Sequence, residues 1–184
     1  SDMRTQWGSI VSGSSHSEMN ASIDRVVFAT LQTGASIISD NPTAKATLFV
    51  GGTGADNITG SNGRDLILGN GGGDQIHGGA GNDIFVAGRP AYSAGTSTAT
   101  NYLYGDTGND AVNYGMSGYG LIATMNGNNG HVEDTLNRRD VLSSIERLTL
   151  SNYGDTLKVN SGPSSGREMH FEGGKEYSGK DVAD

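Results

Sequence analysis

The chain has 184 residues, a length that suits one domain, with 30 Gly, 3 Pro and no Cys, and only 34% of it is hydrophobic. Glycine without proline or a three-residue period excludes collagen, and the absence of cysteine excludes a disulfide scaffold. A formal charge of −8, from 14 Asp and 6 Glu against 12 Lys and Arg, argues against nucleic acid as a partner unless a cation intervenes. So little apolar material predicts that something besides a large core, such as a bound metal, stabilises the fold.

Residues 1–45 read as an N-terminal segment. SDMRTQWGSIVSG holds no apolar stretch of the signal-peptide kind, and no later run is long enough for a transmembrane segment. Ile23, Val26, Val27 and Leu31 recur at helical spacing between Ser22 and Gly34, which predicts a capping helix over 22–32. The β-branched content leaves a strand open. His16, in GSSHSEMN, reads as a surface histidine, since no G-x-S-x-G accompanies it to complete a hydrolase triad.

A nine-residue period begins at residue 51. GGTGADNIT, GSNGRDLIL, GNGGGDQIH and GGAGNDIFV occupy 51–59, 60–68, 69–77 and 78–86 in tandem, and GDTGNDAVN follows at 105–113. Every copy has Gly at positions 1 and 4, Asp at position 6 and an apolar residue at position 8. An irregular linker keeps no such period. The first six residues make a tight turn, since glycine reaches φ > 0 without steric cost. The last three make a minimal strand with one inward side chain. Repeated, this winds into a flattened coil whose turns alternate between two edges, so every second turn stacks on the same edge. Stacking brings Asp56 against Asp74 and Asp65 against Asp83, among backbone carbonyls. Such an oxygen-only set of about six ligands, without His or Cys, suits Ca²⁺.

Residues 87–104, AGRPAYSAGTSTATNYLY, interrupt the period and read as an inserted loop replacing one turn, with Tyr102 and Tyr104 resuming strand geometry. That places Asp110 on the Asp65/Asp83 edge, completing a third site with Asp83 and leaving Asp74 without a further partner. Positions 7 and 9 point outward. They are polar at Asn57, Thr59, Gln75 and His77, and apolar at Leu66, Leu68, Ile84 and Val86. The apolar four predict a covered face, with Ile23–Leu31 as the covering element. Residues 115–160 read as a β-rich continuation and 161–184 as a polar tail. In DVLSSIERLTLSNYGDTLK, at 140–158, ninefold register sets Leu148 and Leu157 inward and Asp155 on the ligand position, though without paired glycines. His131, His170 and Asp134 lack metal-ligand spacing, and Arg138-Arg139 reads as a solvated loop pair.

The nonamers resemble the G-G-x-G-x-D-x-U-x repeat of repeats-in-toxin proteins, and 140–158 is similar to segments that often follow such blocks. The resemblance implies an all-β fold, a parallel β-roll of two short-stranded sheets, with Ca²⁺ as its ion. It also implies a bacterial protein secreted by type I export that folds once outside in millimolar calcium. The parent would be a toxin, adhesin or hydrolase, with further domains in a larger chain. The fragment itself carries no complete active site, so no enzyme activity is expected of it. The alternative is the C-terminal part of a secreted lipase- or protease-like hydrolase.

Overall fold

The computed structural model describes residues 25–28, 34, 36–38, 46–87, 99–136, 138–161, 170–173 and 182–183. Among them every regular element is a strand, and the strands form two mostly parallel sheets. The seven-stranded sheet runs β1 (Arg25–Phe28), β3 (Thr47–Val50), β5 (Leu66–Leu68), β7 (Ile84–Val86), β9 (Ala111–Asn113), β13 (Arg147–Thr149) and β15 (His170–Glu172). In the nine-stranded sheet, β2 (Ser36–Ile38), β4 (Asn57–Thr59), β6 (Gln75–His77) and β8 (Thr100–Tyr104) lead to β12 (Arg139–Ser143). Beyond it lie β11 (Asn129–Asp134), β10 (Leu121–Asn126), β14 (Thr156–Ser161) and β16 (Val182–Ala183).

The nonapeptide period becomes this architecture directly. Leu66 pairs with Ile84 and Asn57 with Gln75, in each case two repeats further along the chain, so alternate repeats feed alternate sheets. The position-8 residues Ile58, Ile67, Ile76, Phe85 and Val112 are all buried between the sheets. Ile37, Phe49, Leu103, Leu142 and Leu148 extend this core at both ends. One inward side chain per three-residue strand gives a core that is continuous but thin.

The interruption is shorter than 87–104. Residues 100–104 are strand β8, with Leu103 in the core row opposite Ile76, because Asn-Tyr-Leu-Tyr supplies the alternation that a strand needs. Gln75 pairs with Tyr102, three repeat lengths on instead of two, so one half-coil is lengthened by a single repeat length. Residues 88–98 lie outside the described residues.

Of the capping helix predicted over 22–32, only residues 25–28 are described, and there a strand forms instead. Residues 25–28 are strand β1, paired in parallel with Thr47–Val50 over four residues. Val26 and Val27 are β-branched and suit a strand, and the edge of β3 offers backbone partners. Val26 is exposed while Val27 packs against the core, so the two point to opposite faces of the sheet. Ile23 and Leu31 lie outside the described residues, as does His16. β1 thus extends the sheet instead of crossing its outer face. On that face Leu66, Leu68, Ile84 and Val86 are half-buried, in rows with Leu48 and Val50. On the opposite sheet Asn57 and Gln75 are exposed.

Two outward-facing groups also have partners. His77 is half-buried, stacked on Tyr104 with ring centroids 4.4 Å apart, and its Nδ1 lies 3.1 Å from Asp106 Oδ2. Arg138 pairs with Asp134 and lies over the Tyr119 ring, 5.3 Å from its centroid, while Arg139 begins β12.

Candidate metal centre

The turns of 60–65, 78–83 and 105–110 stack on the edge that leads into the seven-stranded sheet. Their aspartates form one row. The Asp65 N–H donates to Asp83 Oδ1 at 2.8 Å, and the Asp83 N–H donates to Asp110 Oδ1 at 2.8 Å. Thr47 N–H begins the row by donating to Asp65 Oδ1 at 2.9 Å. Asp110 therefore joins the Asp65/Asp83 edge, and the lengthened half-coil accounts for its greater separation in sequence from Asp83. The other edge holds turns 51–56 and 69–74, where the Asp56 N–H donates to Asp74 Oδ1 at 2.9 Å. All five sequence-derived candidates, Asp56, Asp65, Asp74, Asp83 and Asp110, are buried. Asp74 is not the end of its row, because its N–H donates to Asn101 Oδ1 at 2.9 Å. Asn101 occupies the rung where a further aspartate would stand.

Oδ1 of Asp65, Asp74, Asp83 and Asp110 thus accepts a backbone N–H from the neighbouring rung, while Oδ2 of Asp56 and of Asp65 accepts one from its own turn, from Gly52 and Ser61. Oδ2 of Asp83 is buried and takes no hydrogen bond. Among the described residues no Lys or Arg forms an ion pair with Asp65, Asp74 or Asp83. Burial accordingly pushes the Asp83 carboxyl up to about 8 and the Asp74 carboxyl up to about 7, with repulsion from neighbouring aspartates adding to both. Burial also raises Asp65, against hydrogen bonds from Ser61 and Thr47 that favour its ionised form. Closely spaced buried carboxylates beside stacked carbonyls need a cation of high charge that accepts oxygen ligands, and Ca²⁺ fits.

The glycines make the approach possible. A Cβ on Gly60 would lie 2.8 Å from Asp65 Oδ2 and closer still to the Gly78 carbonyl oxygen. At Gly51 and Gly105 a Cβ would meet Asp56 Oδ2 and Asp110 Oδ2, each at 2.6 Å. Position 1 is therefore glycine because the carboxylate folds back over its own turn. Gly81, at position 4, has φ +121, which disfavours any side chain. Gly60→Ala is expected to destabilise the calcium-loaded fold by about 1–3 kcal/mol through overpacking. A lowered thermal midpoint with unchanged far-UV circular dichroism at room temperature would register it.

Two carboxylates outside the sequence-derived set take equivalent places. Glu146 is buried, and its Oε2 accepts the Asp110 N–H at 2.8 Å, so the first row continues by one carboxylate. Asp155 is buried in a turn that copies 60–65 without its glycines. Ser151 Oγ donates to Asp155 Oδ1 at 2.7 Å and receives the Tyr153 N–H at 3.0 Å. In the repeat turn, Ser61 Oγ donates to Asp65 Oδ1 at 2.9 Å and receives the Gly63 N–H at 3.1 Å. Leu121 N–H donates to Asp155 Oδ1 at 2.8 Å, as Thr47 N–H does to Asp65. The shared Ser-Asn at positions 2 and 3, with Asp at 6, was the sequence signal.

Fold and site together define a class: a parallel β-roll whose stacked turns line up buried carboxylates along each edge. The profile of the RTX calcium-binding nonapeptide repeat matches residues 50–85 and 97–116 in four copies, so these segments carry repeats of the RTX kind, a family that implies Ca²⁺ binding. Neither curated proteins nor solved structures returned a match.

Proposed function

We propose that this chain is a calcium-responsive folding module of a secreted bacterial protein, with Ca²⁺ held by Asp56 with Asp74, Asp65 with Asp83, and Asp83 with Asp110. The observation that carries the reading is the row Asp65–Asp83–Asp110, which sets buried carboxylates one above another on a single edge. These aspartates orient through backbone N–H groups, and neighbouring carbonyls complete an oxygen cage. Calcium supplies positive charge that offsets carboxylate repulsion, and binding to the folded form alone adds folding free energy. The role is structural, and the chain is read as non-enzymatic. Repeats of this kind occur in secreted proteins, which supports an extracellular location. Type I export and a toxin, adhesin or hydrolase parent with further domains extend the same reading. The test is the double variant Asp65→Ala/Asp83→Ala. Its calcium midpoint for folding, followed by circular dichroism, should rise by about tenfold or more, since two of three positions lose carboxylates. An unchanged midpoint would remove the assignment.

A further inference from the structure

The two edges of the roll end differently. On one, carboxylate follows carboxylate from Asp65 to Glu146, each accepting an N–H from the rung before. On the other, the row passes from Asp56 and Asp74 to the carboxamide of Asn101. Asn101 spends its oxygen on the Asp74 N–H. Its Nδ2 donates to Asp140 Oδ1 at 2.8 Å, and Tyr114 Oη donates to Asp140 Oδ2 at 2.7 Å. Both oxygens of the buried Asp140 are therefore held by hydrogen-bond donors, one of them the phenol of an equally buried tyrosine. The register makes this possible, since Asn101 pairs with Asp140 across β8 and β12. On this edge the rung after Asp74 is a neutral carboxamide whose oxygen accepts the Asp74 N–H and whose Nδ2 faces Asp140, so an N–H donor stands where the other edge carries a carboxylate.

We propose that Asn101, Asp140 and Tyr114 form a metal-free plug that ends the calcium array on this edge, limiting it to the Asp56/Asp74 position. Burial raises the Asp140 carboxyl, and the hydrogen bonds from Tyr114 and Asn101 work against that rise, with the Arg138 charge adding to them. The consequence of the plug is an asymmetric array, with more ions on the Asp65 edge than on the Asp56 edge, and a junction between β8 and β12 that holds without calcium. The proposal rests on the calcium reading of the repeat turns.

Counting bound Ca²⁺ per chain by native mass spectrometry, with the wild-type count read first, tests it. Asn101→Asp adds a carboxylate between Asp74 and Asp140 and is expected to bind one ion more than wild type. Asn101→Ala is expected to keep the wild-type count while lowering the thermal midpoint. An Asn101→Ala protein that loses one ion would make Asn101 a ligand and overturn the plug. A folded Asn101→Asp protein with an unchanged count would do the same. Should Asn101→Asp fail to fold, the Asn101→Ala count decides alone. A wild-type chain holding no calcium would defeat the calcium reading itself and the plug with it, before any variant is compared.

Discussion

Calcium-free protein is expected to lose the ordered structure of residues 46–87 and 99–113. Each nonapeptide there buries one large side chain, Ile58, Ile67, Ile76, Phe85 or Val112. Each also carries a buried Asp. Ordering a whole repeat around one apolar anchor and one desolvated anion is unfavourable without compensation. Ligand binding to the folded form alone contributes about 2.7 kcal/mol per site at a free concentration about 100-fold above Kd, and three positions act together. Far-UV circular dichroism of resin-treated protein should therefore show a disordered repeat block that regains strand signal at millimolar Ca²⁺. Mg²⁺ should substitute poorly, because it resists dehydration and demands tighter octahedral geometry. A spectrum identical with and without calcium would contradict the expectation.

Acid is expected to replace calcium in part. In the metal-free fold burial pushes the Asp74 carboxyl up to about 7 and the Asp83 carboxyl up to about 8, from the ordinary 3.8 of an unfolded aspartate. Between pH 4 and 8 the folded form therefore binds more protons than the unfolded one. Metal-free stability must then fall as pH rises through that window, with the full penalty above about pH 8. Conversely, calcium affinity should rise over the same window, and binding should release protons near neutral pH. Circular dichroism of calcium-free protein at pH 5 and pH 8, with proton release measured in weak buffer, checks both signs. A metal-free chain whose structure increases toward pH 8 would reverse the assignment of these carboxylates.

The repeat block was legible because chemistry and period coincide. Aspartates recurring at every second repeat defined both stacked pairs, and a lengthened half-coil gave Asp110 its place. Other parts obey no period. Glu146 reaches the rung beside Asp110 only because the antiparallel β10–β11 hairpin, which lies between them in sequence, is accommodated in the other sheet. Asn101 carries the ligand position in a stretch with no glycine turn before it, so nothing local marks it. For β1 the stripe of Ile23, Val26, Val27 and Leu31 favoured a helix while the β-branched content left a strand open, and the open edge of β3 decides for the strand over 25–28. Asp155 shows the opposite failure. Requiring paired glycines discounted a turn that a serine hydroxyl holds in the same shape.

The most direct test is a crystal structure of the calcium-loaded protein with anomalous differences recorded. Calcium peaks are expected between Asp56 and Asp74, between Asp65 and Asp83, and between Asp83 and Asp110, with carboxylate and carbonyl oxygens at about 2.3–2.6 Å. Clear density for these turns in saturating calcium, with no peak between them and the carboxylates turned to solvent, would contradict the assignment.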